Sequence, residues 1–228
     1  MIRTPNPKTY TKKTERHAFV HHLLHGWRAW PVRWRGVLKD KGAFLKHVRF
    51  DIHGTGNRIE IGRGVHLTDC TFCIRGNNCR VVIGDGPTDI RHSLFWLEDD
   101  GSRLEMGRHI LMKGTHIAST EGESITIGDD VMFDDAEIRN GDSHAILVQG
   151  TDERTNWPRP VRIGNHCWVA SHVRIMKGTV IADHCIIGNS AVCSGRLDTP
   201  HAIYSGNPAR LVQQHIDWDR NRYLFGKK

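Results

Sequence analysis

Between residues 163 and 193 an apolar side chain returns at every sixth position: Ile163, Val169, Ile175, Ile181, Ile187 and Cys193. A second set, Cys167, Val173, Thr179, Cys185 and Ala191, keeps the same interval four places after the first and is small or β-branched. An α-helix would repeat every 3.6 residues and a half-buried strand every 2. A chain that turns after each six residues gives the observed interval, and three such turns close a triangular coil of 18 residues. Stacked at the spacing of neighbouring parallel strands, about 4.8 Å, these coils set Ile163 on Ile181, Val169 on Ile187 and Cys167 on Cys185. Each coil then extends one continuous core. A sandwich of short strands would alternate and would not hold this interval across 31 positions.

Upstream the interval loosens, but a phrase recurs: Ile59-Glu60-Ile61-Gly62, Val81-Val82-Ile83-Gly84, Leu104-Glu105-Met106-Gly107, Ile125-Thr126-Ile127-Gly128 and Val161-Arg162-Ile163-Gly164. The first four begin 21 to 23 residues apart and the last gap is 36. Segments 87–102 and 118–124 read as small excursions from the coil, and 140–160 as a long one, where binding residues tend to collect. Gly, Asn and Asp between the apolar sets suit corners that need positive φ. His166, His172 and His184 all take the fourth place of a hexad and are expected in a row along one edge, as solvated corner residues. Three regions follow: a basic flank over 1–45, the coils over 46–200, and a closing segment over 201–228 that reads as a short helix and tail after Pro208. In the flank, Phe19, Val20, Leu23, Leu24 and Trp27 line one helical face that Pro31 ends. That helix either caps the open end of the stack or, with Trp27, Trp30 and Trp34, touches a membrane or lipid-linked glycan.

With 228 residues the chain accommodates one sizeable domain. It has no apolar run of about 18 residues and no secretory signal at its N-terminus, so a cytoplasmic protein is expected, with the inner membrane face as a place of work. In that compartment the six cysteines do not form a disulfide framework. Cys70 and Cys73 resemble half a zinc knuckle whose second half is missing, so core thiols and no metal are expected. The net charge of +7 points to an anionic partner: a phosphorylated cofactor, an acidic glycan or a membrane surface. No nucleic-acid-binding module is present.

Three pieces of sequence carry a family resemblance: Gly141-Asp142-Ser143-His144-Ala145-Ile146, then Cys167-Trp168-Val169-Ala170-Ser171-His172-Val173 with 24 residues from His144 to Trp168, and Tyr204-Ser205-Gly206-Asn207-Pro208-Ala209-Arg210. Together with the hexads they resemble the hexapeptide-repeat acyltransferases, in the branch of sugar and polysaccharide O-acetyltransferases. The resemblance implies an all-β fold, a left-handed parallel β-helix. It also implies acetyl-coenzyme A as co-substrate and a homotrimer with active sites in clefts between neighbouring prisms, the pantetheine running along a coil edge. His144 matches the family's catalytic histidine. Trp168 and Ser171 match positions that contact the cofactor, and Asn189 and Ser194 match positions whose backbone lines the pantetheine. The sequence departs from the pattern at Gly195, where the family often has a lysine; Arg196, Lys177 or Arg210 would serve the phosphates instead. An active-site asparagine of galactoside acetyltransferases has no match near Gly114.

The chemistry agrees with that assignment. An alcohol is a poor nucleophile at neutral pH, and histidine, with a reference pKa of about 6.5, is suited to take its proton. Direct attack on a thioester needs no covalent enzyme intermediate, and proximity supplies much of the rate. A carboxylate should fix the imidazole tautomer; Asp142 is nearest in sequence, although it would serve an acceptor instead, and Glu121 and Glu123 are rivals. Backbone N–H groups around Ala170 and Ser171 are candidates for the oxyanion. Arg154, Asn156 and Trp157 suit either a sugar face or a loop anchor. The expected activity is acetyl transfer to a carbohydrate hydroxyl, acidic or lipid-linked. An N-acetyltransferase of amino sugars, a metal-dependent hydratase and a non-catalytic prism are the alternatives.

Overall fold

A computed structural model describes residues 31–32 and 35–221. The helical face expected between Phe19 and Trp27, Trp30 and Trp34 lie outside the described residues, as do residues 222–228. The rest winds into a parallel β-helix: three sheets of eight, nine and seven strands, in which every strand but the last pairs only with the third strand before it and the third after it, save for the edge contact to that last strand. Consecutive strands therefore lie on different faces of a three-sided prism. One coil runs Arg58–Ile61 on the first sheet, Val65–Thr68 on the second and Thr71–Ile74 on the third. The expected stacking is observed: Ile163 pairs with Ile181, Val169 with Ile187 and Ile175 with Cys193. All members of both six-residue sets are buried.

The glycine of the recurring phrase has a reason different from the expected one. Gly128 and Gly164 have no positive φ. A Cβ on Gly128 would lie 2.7 Å from Asn165 Oδ1, and one on Gly164 2.4 Å from Asp183 Oδ1. Those two oxygens accept hydrogen bonds from the backbone N–H groups of Asp129 and Asn165, at 2.9 and 2.7 Å. Glycine is present because the next coil passes so close.

The three corner histidines do not share one edge. His166 and His184 stack between the first and second sheets, where His184 N–H bonds to the Asn165 carbonyl. His172 lies one corner further on, where its N–H reaches the Asp135 carbonyl. A six-residue interval says only that each is at a corner; residues 18 apart share one. All three adopt positive φ, at 52°, 59° and 60° for His166, His184 and His172.

Segments 87–102 and 118–124 are not excursions. They contain or complete the regular sides Thr88–Arg91, Leu94–Leu97 and His116–Ser119. The early coils are simply longer. Arg58 pairs with Arg80, Arg80 with Arg103 and Arg103 with Ser124, intervals of 22, 23 and 21 residues, against 18 from Arg162 to Val180. The coils also begin earlier than residue 46: Leu38–Asp40 already pairs with Ile59–Ile61, since Leu38 and Leu45 feed the core. After Pro208 the expected short helix is instead a strand, Arg210–Gln214, antiparallel to Ala202–Ser205. The last strand of the second sheet has an open edge, and this segment satisfies its backbone groups. All six cysteines are buried and free. Burial pushes the Cys70 thiol up to about 11 and those of Cys167 and Cys193 to about 12, so they stay protonated. No helix of the described residues is long and apolar enough to cross a membrane.

Candidate active site

The outer face of the third sheet supplies the floor of a cleft of about 610 Å³. Register aligns Trp96, Ala118 and Arg139 in one outward column and His116 with Glu137 in the next. The walls are Glu98, Asp99, Thr120 and Glu121 from the third corner, and Asp142, Ser143, His144 and Arg154 from the long excursion.

The excursion leaves the coil at Asn140, which is fully buried. Its Oδ1 accepts from the Thr120 N–H at 2.8 Å, and its carbonyl accepts from the Arg159 N–H at 2.9 Å, closing the base of the loop. Asn156 then ties the loop together. Its Nδ2 donates to Asp142 Oδ2 at 2.8 Å and to the His144 carbonyl at 2.7 Å, while its Oδ1 accepts from the Ile146 N–H at 2.8 Å. Lys177, from a later coil, donates to Asp142 Oδ2 at 2.5 Å and to the Asn156 carbonyl at 3.0 Å. Arg154 holds Glu121 through both terminal nitrogens, at 2.6 and 2.8 Å. Residues 146–155 fold back as a small hairpin whose apolar first arm, Ile146, Leu147 and Val148, is exposed.

These contacts fix the backbone of His144 while leaving its ring exposed on the cleft. The Lys177 ammonium and the Asn156 amide hold the Asp142 carboxyl below the usual carboxylate range, and the Arg154 guanidinium does the same for Glu121. Burial, reinforced by the nearby Arg139 charge, lowers the His116 pKa, so this imidazole is neutral at pH 7. Its Nε2 is buried and has no hydrogen-bond partner.

Several expectations change. Asp142 is engaged by Lys177 and Asn156, so it acts on the loop and not on the imidazole of His144. The same ion pair removes Lys177 from the expected phosphate-binding set. Asn156 is a loop anchor; Arg154 both anchors and lines the cleft, with its guanidinium 4.7 Å over the Trp157 ring, which is largely exposed. Ala170 cannot offer its N–H to an oxyanion because that group already bonds to the Ile187 carbonyl at 3.0 Å.

The expected cofactor residues lie elsewhere on the prism. Trp168 is exposed on the outer face of the second sheet, and Ser171, bonded to Asp134, sits at the corner between the second and third sheets. Asn189 is at the same corner one coil later, where Ser190 N–H bonds to the Ser171 carbonyl. Ser194 is an exposed residue of the third corner. Arg196 is on the first sheet beside Asp198, and Arg210 is on the antiparallel edge strand. Sequence reading missed Trp96, His116 and Arg139. Subtracting one 21-residue coil from Glu137 leads to His116, so the early repeat held the clue.

Residues 160–195 match the family described as "Bacterial transferase hexapeptide (six repeats)". The polysialic acid O-acetyltransferase of Neisseria meningitidis is 31% identical over 173 residues, 75% of this chain and 79% of that protein. The galactoside O-acetyltransferase of Escherichia coli (strain K12) is 25% identical over 124 residues, 54% of this chain and 60% of that protein. Among solved structures, that of the polySia-specific acetyltransferase NeuO resembles this fold with a TM-score of 0.64 at 24% identity, over 77% of this chain and 90% of that one.

Proposed function

The chain belongs to the bacterial hexapeptide-repeat transferases and is an acyltransferase, and from that premise we propose that it moves an acetyl group from acetyl-coenzyme A to a sugar hydroxyl of a bacterial polysaccharide, with His144 as general base. The observation that carries this reading is the pairing of a clamped backbone with an open imidazole: the His144 carbonyl is held by Asn156 while the ring faces a polar cleft. In the step envisaged, the ring takes the hydroxyl proton as the oxygen attacks the thioester carbonyl. The tetrahedral intermediate then collapses to the ester, and the imidazolium returns the proton to the departing coenzyme A thiolate. His116, neutral and part of the cleft floor, is suited to contact the acceptor as an uncharged ring. The net charge of +7 favours an acidic glycan for the chain as a whole, while in the cleft Arg139 is paired with Glu137 at 2.6 Å. The basic, tryptophan-rich residues 1–45 would bring that glycan, lipid-linked, to the inner membrane face, with the reaction on the cytoplasmic side.

Within one chain Trp168 and His144 stand on different faces of the prism. A site that uses both takes them from two chains, and a homotrimer of side-by-side prisms supplies that geometry. The exposed apolar arm at Ile146, Leu147 and Val148 supports the same reading, because a neighbouring prism would cover it. Trp168, Ser171, Asn189 and Ser194 would then follow the pantetheine, and Arg196 or Arg210 the phosphates.

The test is glycan-dependent release of coenzyme A. His144→Ala should lower turnover by roughly 10²–10⁴-fold with an unchanged circular dichroism spectrum, and the acetyl group on the product should be released by mild alkali, as an ester is. Undiminished turnover would remove His144 as the base; an alkali-stable product would make the acceptor an amine.

A further inference from the structure

On the opposite side of the molecule's chemistry lies a second cluster, at the corner between the first and second sheets. After the edge strand Arg210–Gln214 the chain runs back over this corner. Ile216 N–H bonds to the His201 carbonyl at 3.0 Å, Trp218 Nε1 donates to the His166 carbonyl at 2.9 Å, and the Trp218 ring stacks on His166 with centroids 4.6 Å apart. Arg220 donates to Asp130 at 2.7 Å. This path lays Asp217 beside two imidazoles. His166 Nε2 is 3.3 Å from Asp217 Oδ1, His184 Nδ1 is 3.8 Å from the same oxygen, and all three donor atoms lie within 4.8 Å of one another.

One of these atoms has no partner without a cation, and a second has one only when its ring is protonated. His184 Nδ1 is buried and has no hydrogen-bond partner. His166 Nδ1 is 2.5 Å from Asp130 Oδ2, which fixes its proton there. A neutral ring then turns the bare lone pair of Nε2 toward two oxygens, the Trp218 carbonyl at 3.0 Å and Asp217 Oδ1 at 3.3 Å. A proton on Nε2 would satisfy His166 but would leave His184 Nδ1 as it is. A metal ion satisfies both. Zinc holds imidazole and carboxylate ligands at about 2.0–2.2 Å in a tetrahedron, which separates neighbouring donors by roughly 3.3–3.6 Å; the 3.3 and 3.8 Å spacings to Asp217 Oδ1 are close to this, and the two imidazole nitrogens, which lie within 4.8 Å of each other, would draw together on binding.

We propose that His166 Nε2, His184 Nδ1 and the Asp217 carboxylate form a site for a divalent transition-metal ion of the zinc class, with the Trp218 carbonyl or a water as the fourth ligand. Asp130 orients His166 from behind, as carboxylates commonly do for metal-bound imidazoles, and His201, stacked on His184 at 4.3 Å, holds that ring's plane. The ion takes no part in acetyl transfer. It staples the C-terminal segment to the coils, next to Trp168, whose ring lies 6.1 Å from that of Trp218.

The full chain, stripped with a chelator, is titrated with Zn²⁺ alone by calorimetry, and its melting midpoint is followed with and without Zn²⁺. His184→Asn suits the left-handed backbone at that corner (φ 59°), and Asp217→Asn changes a largely exposed side chain; both remove a ligand. The N-terminal His17, His21, His22 and His25 set a background that all variants share. The expected result is one more Zn²⁺ per chain in the parent than in either variant, a midpoint raised by Zn²⁺ only in the parent, and affinity about 10–100-fold weaker in Asp130→Asn. Equal stoichiometry and equal midpoint shifts in parent and variants would overturn the site and leave the cluster as a protonated His166 held by its acceptors.

Discussion

The coils before the long excursion and those after it solve the same problem at different widths. A typical early strand, Arg58–Ile61, has four residues and turns Ile59 and Ile61 inward; a late strand, Arg174–Ile175, has two, and the residue buried with Ile175 is the smaller Val173 just before it. The wide half therefore holds an aromatic stack, Phe50 on Phe72 at 5.3 Å and Phe72 on Phe95 at 4.7 Å, where the narrow half packs Val, Ile, Cys and Ala. Its extra length gathers at the third corner, which needs buried polar groups to close it: Asn57, Ser102, Ser119 and finally Asn140. The excursion emerges at the last of these rungs. The wide half thus provides a broad face and a carboxylate-lined corner, and the narrow half provides regular edges.

Four measurements would break or sharpen that contrast. The largest effect is expected in the wide core: Phe95→Ala should cost about 3–5 kcal/mol in denaturant unfolding, against about 0.5–1.5 kcal/mol for Ile187→Val in the narrow half. Equal losses would mean that the two halves are packed alike. Next, Asn156→Ala should cost about 1–3 kcal/mol by stranding the partners it now satisfies, and should open residues 143–155 to proteolysis while the coils stay protected. A smaller change is expected at His116→Ala, about a tenfold rise in the acceptor KM, or roughly 1.4 kcal/mol, with the acetyl-coenzyme A KM unchanged. A shift in the latter instead would move the cofactor onto the wide half. Smallest is a pH effect. The carboxyls of Asp142 and Glu121 are held low by Lys177 and Arg154, so their contribution is complete above the ordinary carboxylate pKa and is lost as pH falls through the depressed folded values. Proteolysis of the loop should be flat from about pH 5 to 8 and should rise only below about pH 4.

The same contrast explains what could be read in advance. In the narrow half one large side chain marks each side, so Ile163 to Cys193 gave the prism, its stacking and its corners. In the wide half a lengthened third corner blurs the interval, which is why Thr88–Arg91 and Leu94–Leu97 passed for excursions. The interval also cannot distinguish one corner from another, and this misplaced His172 beside His166 and His184. His144 could be singled out through its motif, and it lines the cleft. Trp96, His116 and Arg139 were not, because they reach the cleft only through pairings one and two coils away. The roles of Asp142 and Lys177 depended on a contact across 35 residues that no local pattern encodes.

Mixing two inactive variants tests directly whether a site is completed by two chains. His144→Ala and Trp168→Ala, each inactive alone, are unfolded and refolded together in equal amounts. A site shared between neighbours predicts recovery of roughly a quarter of the parent turnover by random assembly around a closed ring. A mixture no more active than the two variants assayed separately would mean that His144 and Trp168 do not serve one site from adjacent chains.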